Sequence, residues 1–126
     1  MADSFSLAGG YTVSPQGDPL SFAPFVEAQI NESVTLQKKL VRESRLTVDG
    51  PIAVSFDTIT NAHIIILKAV GGKCRARFTS ADGATQAIPF DTYLITMSEQ
   101  VPITALDLTR VNGIDTTVRI FIGEKA

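Results

Sequence analysis

Residues 71–83 read GGKCRARFTSADG, and from position 73 to position 77 a cation occupies every second position. The three cations are Lys73, Arg75 and Arg77, and the residues that alternate with them are Cys74, Ala76 and Phe78. Successive side chains of a β-strand point to opposite faces of the sheet. The alternation therefore predicts a strand over residues 73–79, with its apolar side on a core and its cations in a row on the outer face.

The same two-residue period, rich in β-branched residues, continues along most of the chain. Residues 25–41 fit a helical period about as well as an alternating one, and we interpret them as strand. Residues 61–70 are almost continuously apolar, which is typical of a central strand covered on both faces. The predicted strands span residues 33–41, 44–49, 51–57, 61–70, 73–79, 85–90, 91–97, 101–108 and 116–123.

Glycine, asparagine and aspartate occur in short turn sequences between these strands. The turn signals are DGP at 49–51, GG at 71–72, ADGA at 81–84 and NG at 112–113. Short strands separated by such turns are typical of a sandwich or barrel. We predict an all-β, antiparallel β-sandwich, in which the turn at 71–72 joins residues 62–70 and 73–79 as a hairpin.

The first 24 residues have a different composition. They hold three of the six prolines and three of the nine glycines of the chain. A flexible tail usually lacks apolar anchors, whereas this segment contains Phe5, Leu7, Tyr11, Leu20 and Phe22. We therefore predict an extended N-terminal arm over residues 1–24 that contacts its own domain or a neighbouring subunit, followed by one β-sandwich domain over residues 25–126.

Composition narrows the classes of function. The net charge is −2, whereas nucleic-acid-binding domains are usually strongly basic. The single cysteine excludes an intrachain disulfide and a cysteine metal cluster. The start of the chain shows no signal-peptide pattern, and no apolar run is long enough to span a bilayer. We expect a protein that is made in the cytosol and interacts with neither membranes nor nucleic acid.

No catalytic, cofactor-binding or metal-binding motif emerges from the sequence. His63, the only histidine, lies in the most apolar predicted strand and is interpreted as structural. In the predicted hairpin His63 lies opposite Ser80 and not Cys74, which argues against a cysteine–histidine dyad. We expect no enzyme activity and no cofactor.

Two interpretations of the cations at 73, 75 and 77 remain open. The first is a solvated outer face of the sheet, and edge strands often carry such charges to discourage pairing with other chains. Alternatively, the row contacts acidic groups of a partner subunit.

Residues 50–123 resemble small structural proteins of tailed bacteriophages. The segments that carry the resemblance are NAHIIILKA (61–69), QAIPFDTYLITM (86–97), PITALDLTR (102–110) and TTVRIFIGE (116–124). The resemblance implies a jelly-roll-like β-sandwich that decorates the virion as a cement protein, without enzyme activity. It implies that the partners are the major capsid protein or other virion subunits. A homo-oligomer is expected, with a trimer favoured because it suits a three-fold position on the shell.

Two alternatives to capsid decoration are a tail- or fibre-associated phage subunit and a carbohydrate-binding β-sandwich. Sugar sites usually stack exposed aromatic rings on the sugar. This chain has no tryptophan and only two tyrosines, which favours assembly over sugar binding.

Overall fold

The computed structural model describes residues 3–13, 26–98 and 100–126, with side chains for Phe5, Ser6, 34–98 and 100–126. All regular structure in these residues is β-strand, which confirms the predicted all-β class. No helix in the described residues is long and apolar enough to cross a membrane. The strands are β1 (Asp3–Val13), β2 (Val26–Leu46), β3 (Ile52–Ala53), β4 (Ile64–Val70), β5 (Cys74–Ser80), β6 (Thr85–Phe90), β7 (Tyr93–Met97), β8 (Ile103–Arg110) and β9 (Thr116–Lys125).

The chain divides into two compact units, Met1–Thr35 and Leu36–Ala126. The first unit contains β1 and the N-terminal part of β2, which are neighbours in the strand order. The predicted boundary between an arm and a sandwich falls at 24/25. Because residues 14–25 lie outside the described residues, the predicted extent of the arm stays a prediction.

The second unit is a sandwich of two antiparallel sheets. Sheet 1 has the order β2-β9-β4-β7, and sheet 2 has the order β3-β8-β5-β6. The pairing is nested, since β2 pairs with β9, β3 with β8, β4 with β7 and β5 with β6. The predicted antiparallel β-sandwich is confirmed.

The core of the sandwich is built from the inward side chains of both sheets. Cys74, Ala76 and Phe78 of β5 are buried in it, as the alternation predicts. Sheet 1 contributes residues such as Leu67 of β4 and Ile120 of β9, which are paired in register. The strand over residues 61–70 is central as predicted, because β4 lies between β9 and β7. The prediction that both of its faces are covered is wrong, because Ile66 and Lys68 on the outer face are partly exposed.

Several predicted strand limits differ from the observed ones. The predicted strands 33–41 and 44–49 are parts of the single strand β2, which ends at Leu46. Two charged residues at the predicted break, Arg42 and Glu43, stay in the strand because β2 pairs with β9 without interruption from Lys38 to Leu46. Arg42 pairs with Asp57 at 2.6 Å, and Glu43 with Arg119 at 3.7 Å.

Of the predicted strand over residues 51–57, only the two residues of β3 form a strand in the structure. The next residue, Val54, still donates its N–H to Leu106 at 2.9 Å. The chain then leaves the sheet and turns at Asp57, whose φ of 51° is incompatible with an extended strand.

The predicted hairpin at 71–72 is wrong. The residues on its two sides form β4 in sheet 1 and β5 in sheet 2, so the turn carries the chain from one sheet to the other. Gly71 does adopt the positive φ that the turn signal predicts, at 91°. A turn signal specifies local backbone geometry but does not specify whether the strands it joins are paired.

Candidate functional site

The cationic stripe, defined as Lys73, Arg75 and Arg77, lies on the outer face of sheet 2. Lys73, Arg75 and Arg77 are all exposed, as predicted, and Lys73 lies just before the strand begins. The strand that carries Arg75 and Arg77 is not an edge strand, because β5 lies between β8 and β6. Because β5 has no open edge, edge protection does not explain these charges, whereas the interpretation as a solvated outer face agrees with their exposure.

Only part of the stripe is neutralised by acidic neighbours. Arg77 and Asp107 are cross-strand partners, and their side chains form an ion pair. The partners of Arg75 in register are Pro89 and Thr109, which carry no charge. Among the described residues, neither Lys73 nor Arg75 takes part in an ion pair. The stripe therefore presents two positive charges that the described residues leave uncompensated.

The predicted contact residues of the arm are described only in part. Phe5 lies in β1 and is half-buried. Leu7 and Tyr11 lie in the same strand, but their side chains are outside the described residues, and so are Leu20 and Phe22 altogether. Their role in subunit contacts stays a prediction.

His63 and Cys74 have structural surroundings. Nδ1 of His63 accepts a hydrogen bond from the backbone N–H of Lys125 at 3.0 Å. Burial raises the pKa of the Cys74 thiol from 9.0 to about 11, and this outweighs the opposing backbone hydrogen bond from Thr109. A thiol with this pKa is protonated at neutral pH and is a poor nucleophile.

Two charged residues fix loops in ways that the sequence pattern does not indicate. The guanidinium of Arg110 contacts Asp49 at 3.1 Å and Asp115 at 2.5 Å, which joins two loops at one end of the sandwich. Glu124 is buried near the other end and accepts hydrogen bonds from the loop before β4. In the residues that the structure describes, no three histidine, cysteine or acidic side chains lie together as metal ligands.

The outer face of sheet 1 carries a band of large apolar side chains. The register places Val41, Phe121, Ile66 and Ile95 side by side across all four strands, and we call these four residues the apolar row. Val41 is 76% exposed and Ile95 is 44% exposed. An exposed apolar band on a folded protein is typical of a contact surface.

A shallow depression lies on this face. It has a volume of about 380 Å³ and is lined by Val41, Ile66 and Phe121, with Glu43, Lys68 and Arg119 at its charged side. The charged residues belong to the next register row, where Arg119 is opposite both Glu43 and Lys68. The sequence could have indicated this face, because Val41, Ile66 and Ile95 alternate with the inward residues of their strands.

No protein family, curated protein or solved structure matches this chain.

Proposed function

We propose that this chain is a non-enzymatic structural subunit of a tailed bacteriophage, which decorates the capsid and stabilises it by bridging shell subunits. Its partners are the major capsid protein and further copies of itself. The proposal rests on the sequence resemblance, on the strand order and on the charges of sheet 2.

The strand order supports a jelly-roll architecture. A jelly roll forms when one long hairpin folds into two four-stranded sheets, which leaves its strands paired in a nested order. This chain has that order, with the pairs β2–β9, β3–β8, β4–β7 and β5–β6. Jelly rolls build viral capsid proteins, lectins and cupins. The architecture is therefore compatible with decoration, but the surface must distinguish among these functions.

The observation that carries the proposal is the position of Lys73 and Arg75. Both lie on the outer face of sheet 2, and neither is in an ion pair within the described part of the chain. The strand β5 has no open edge that charges would protect. We infer that they bind acidic groups of a shell subunit, where complementary charge fixes the register of the contact.

Purified particles of the phage that encodes this chain give the first test. Particles are separated on a density gradient, and the chain is sought by mass spectrometry in intact virions, in tailless capsids and in free tails. Capsid decoration predicts that the chain sediments with tailless capsids in many copies. Its presence in tails alone would favour the tail-associated alternative, and its absence from every particle fraction would refute a virion role.

A binding assay then tests the charges. Capsids stripped of the chain are mixed with the wild type, with Arg75→Glu and with the control Arg45→Glu, which reverses an exposed cation on sheet 1. We expect Arg75→Glu to weaken binding about tenfold or more, which corresponds to roughly 1.4 kcal/mol. Arg45→Glu makes the same change in net charge and should bind as the wild type. Equal binding of all three proteins would exclude the stripe from the contact.

The depression on sheet 1 favours a second candidate function, a ligand-binding module. Its volume of about 380 Å³ is sufficient for a small ligand. Phe121 supplies an aromatic ring there, and Glu43 and Arg119 supply polar groups for hydroxyls. A glycan array tests this function, and binding that disappears in Phe121→Ala would favour it over decoration.

A further inference from the structure

The outer edge of β7 is the least protected strand edge in the described part of the second unit. β7 is the last strand of sheet 1 and pairs with β4 alone. Its sequence, Tyr93–Met97, contains no proline, glycine or charge. Proteins usually protect open edges with such residues, because unpaired N–H and C=O groups recruit other strands.

The pairing pattern shows which backbone groups of β7 point outward. Ala69 donates its N–H to the carbonyl of Thr92 at 2.8 Å. Backbone hydrogen-bonding groups alternate in direction along a strand. The backbone N–H and C=O groups of Leu94 and Thr96 therefore point toward β4. The backbone groups of Tyr93, Ile95 and Met97 point away from β4, toward the open edge.

The three outward residues are Tyr93, Ile95 and Met97. Their side chains lie on the outer face of sheet 1 and are 57%, 44% and 36% exposed. One short edge thus presents three N–H groups, three C=O groups and three apolar side chains.

The other strand edges of the second unit carry protective residues. The alternation in β6 turns the backbone of Pro89 outward, and proline has no N–H to donate there. β3 has two residues and follows Pro51. β2 is not an edge strand, because β1 is its neighbour in the strand order. Protection at these edges and none at β7 argues that the β7 edge is kept open for a partner strand.

We propose that β7 pairs with β7 of a second copy, antiparallel, about a two-fold axis at Ile95. In this register Tyr93 lies opposite Met97 of the second copy, and Ile95 lies opposite its own equivalent. All outward N–H and C=O groups are then paired, and any shifted register leaves some of them unpaired.

The side chains fit this register. Methionine sulfur packs favourably against aromatic rings, and β-branched pairs are favourable opposite one another. Nζ of Lys68 lies 5.4 Å from the centroid of the Tyr93 ring. The two copies of residue 93 are about 14 Å apart in this register, so the two Lys68 charges do not meet. The two apolar rows join end to end at Ile95 into one continuous band.

The proposal concerns self-assembly and stands whether or not the chain decorates a capsid. An isologous contact of this kind closes as a dimer, in contrast to the trimer expected from the sequence resemblance. The full chain is studied by sedimentation velocity from about 10 µM to about 500 µM, because an edge of five residues buries less surface than a standard stable interface. We expect a concentration-dependent dimer, and a monomer or a trimer throughout this range overturns the proposal.

Two charge variants separate edge pairing from stacking of sheet faces. Ile95→Lys places two cations side by side on the axis and should raise the dimer dissociation constant tenfold or more. The control Val41→Lys adds the same charge to the same apolar row, three strands away from the edge, and should leave the dimer unchanged. A dimer that survives Ile95→Lys, or that is lost in Val41→Lys, overturns the proposal.

Cross-linking tests the register and does not depend on the lysine variants. Directly opposed residues of a hydrogen-bonded pair have Cα atoms about 5.5 Å apart, within the range of a disulfide. Ile95→Cys should therefore form a covalent dimer under mild oxidation, and the native Cys74 does not interfere because it is buried. Tyr93→Cys is the matched control, since two copies of residue 93 would lie about 14 Å apart. Cross-linking at 93 and not at 95 contradicts the proposed axis.

Discussion

The carboxylate of Glu124 accepts a hydrogen bond from the backbone N–H of Asn61 at 3.0 Å. The same oxygen accepts the N–H of Thr60 at 3.2 Å, and Glu124 is only 7% exposed. Burial by itself raises the pKa of this carboxyl. The hydrogen bonds and the charge of Lys38 outweigh that effect, so the pKa lies below its ordinary value of 4.5. The contact ties β9 to the loop that precedes β4.

We expect Glu124→Gln to lower the free energy of unfolding by about 1–1.5 kcal/mol at neutral pH, because the amide oxygen of glutamine still accepts the two N–H groups but carries no charge. A carboxyl whose pKa is lower in the folded state stabilises the fold above pH 4.5, and this stabilisation disappears as pH falls through the folded-state pKa. The difference between the wild type and the variant should therefore shrink in acid.

Urea unfolding at about pH 7 and about pH 3 measures this difference. Glu43→Gln is the control, because Glu43 is exposed and its ion pair with Arg119 is long, at 3.7 Å. Its effect should stay within about 0.5 kcal/mol. A Glu124→Gln effect of equal size at both pH values would contradict the assigned role of the carboxylate.

Gly72→Ala should destabilise the sandwich although Gly72 does not have a positive φ. A Cβ there would overlap Oγ1 of the buried Thr116 and lie 3.1 Å from Cγ2 of Ile114. Overpacking of this kind costs about 1–3 kcal/mol. The turn at residues 71–72, which carries the chain from sheet 1 to sheet 2, therefore packs closely against the segment that precedes β9.

Gly83→Ala is the matched comparison in a thermal-unfolding series. Its φ is 89°, but a Cβ at this position would meet no atom within 4 Å, so backbone strain is its only cost. Strain of that kind is worth about 1 kcal/mol. We expect Gly72→Ala to lose more stability than Gly83→Ala. The opposite order would contradict the steric role assigned to the contact between Gly72 and Thr116.

The thiol of Cys74 should be inert in the folded protein. It is buried, and its pKa of about 11 leaves almost no thiolate at neutral pH. We expect a thiol reagent such as dithiobis(nitrobenzoate) to react with it only at the rate at which the protein opens. Reaction in urea should be complete within seconds, and equally fast reaction in native buffer would refute the buried position.

Arg77 and Asp107 should be coupled weakly. Their ion pair lies at the surface, where such pairs contribute about 0.2–1 kcal/mol. A double-mutant cycle with Arg77→Ala and Asp107→Ala measures the coupling by urea unfolding. We expect the same cycle with Arg75 in place of Arg77 to give no coupling, because Arg75 and Asp107 are not register partners.

The alternation around position 75 predicted which side chains are buried, because a strand allows only two orientations. It did not predict that β5 is an interior strand. That position depends on β8, which pairs with β5 although 30 residues separate Arg77 from Asp107. Local periodicity carries no information about pairing partners so distant in the chain.

The role of Glu124 was equally inaccessible to sequence reasoning. A single acidic residue after an apolar strand resembles an ordinary surface residue. Its burial arises because the loop at Thr60 and Asn61 turns its N–H groups toward β9. The exposed row on sheet 1, in contrast, follows from the two-residue period once the core side of each strand is known.

The position of β9 has a consequence for synthesis on the ribosome. β9 follows all the other strands in the chain, yet it lies between β2 and β4 in sheet 1. A nascent chain therefore holds β2 and β4 without the strand that joins them until β9 has left the exit tunnel. At about 5–20 residues per second, the roughly seventy residues from the end of β2 to the start of β9 take seconds to emerge. Until β9 emerges, β4 can pair only with β7, and its other edge has no partner strand.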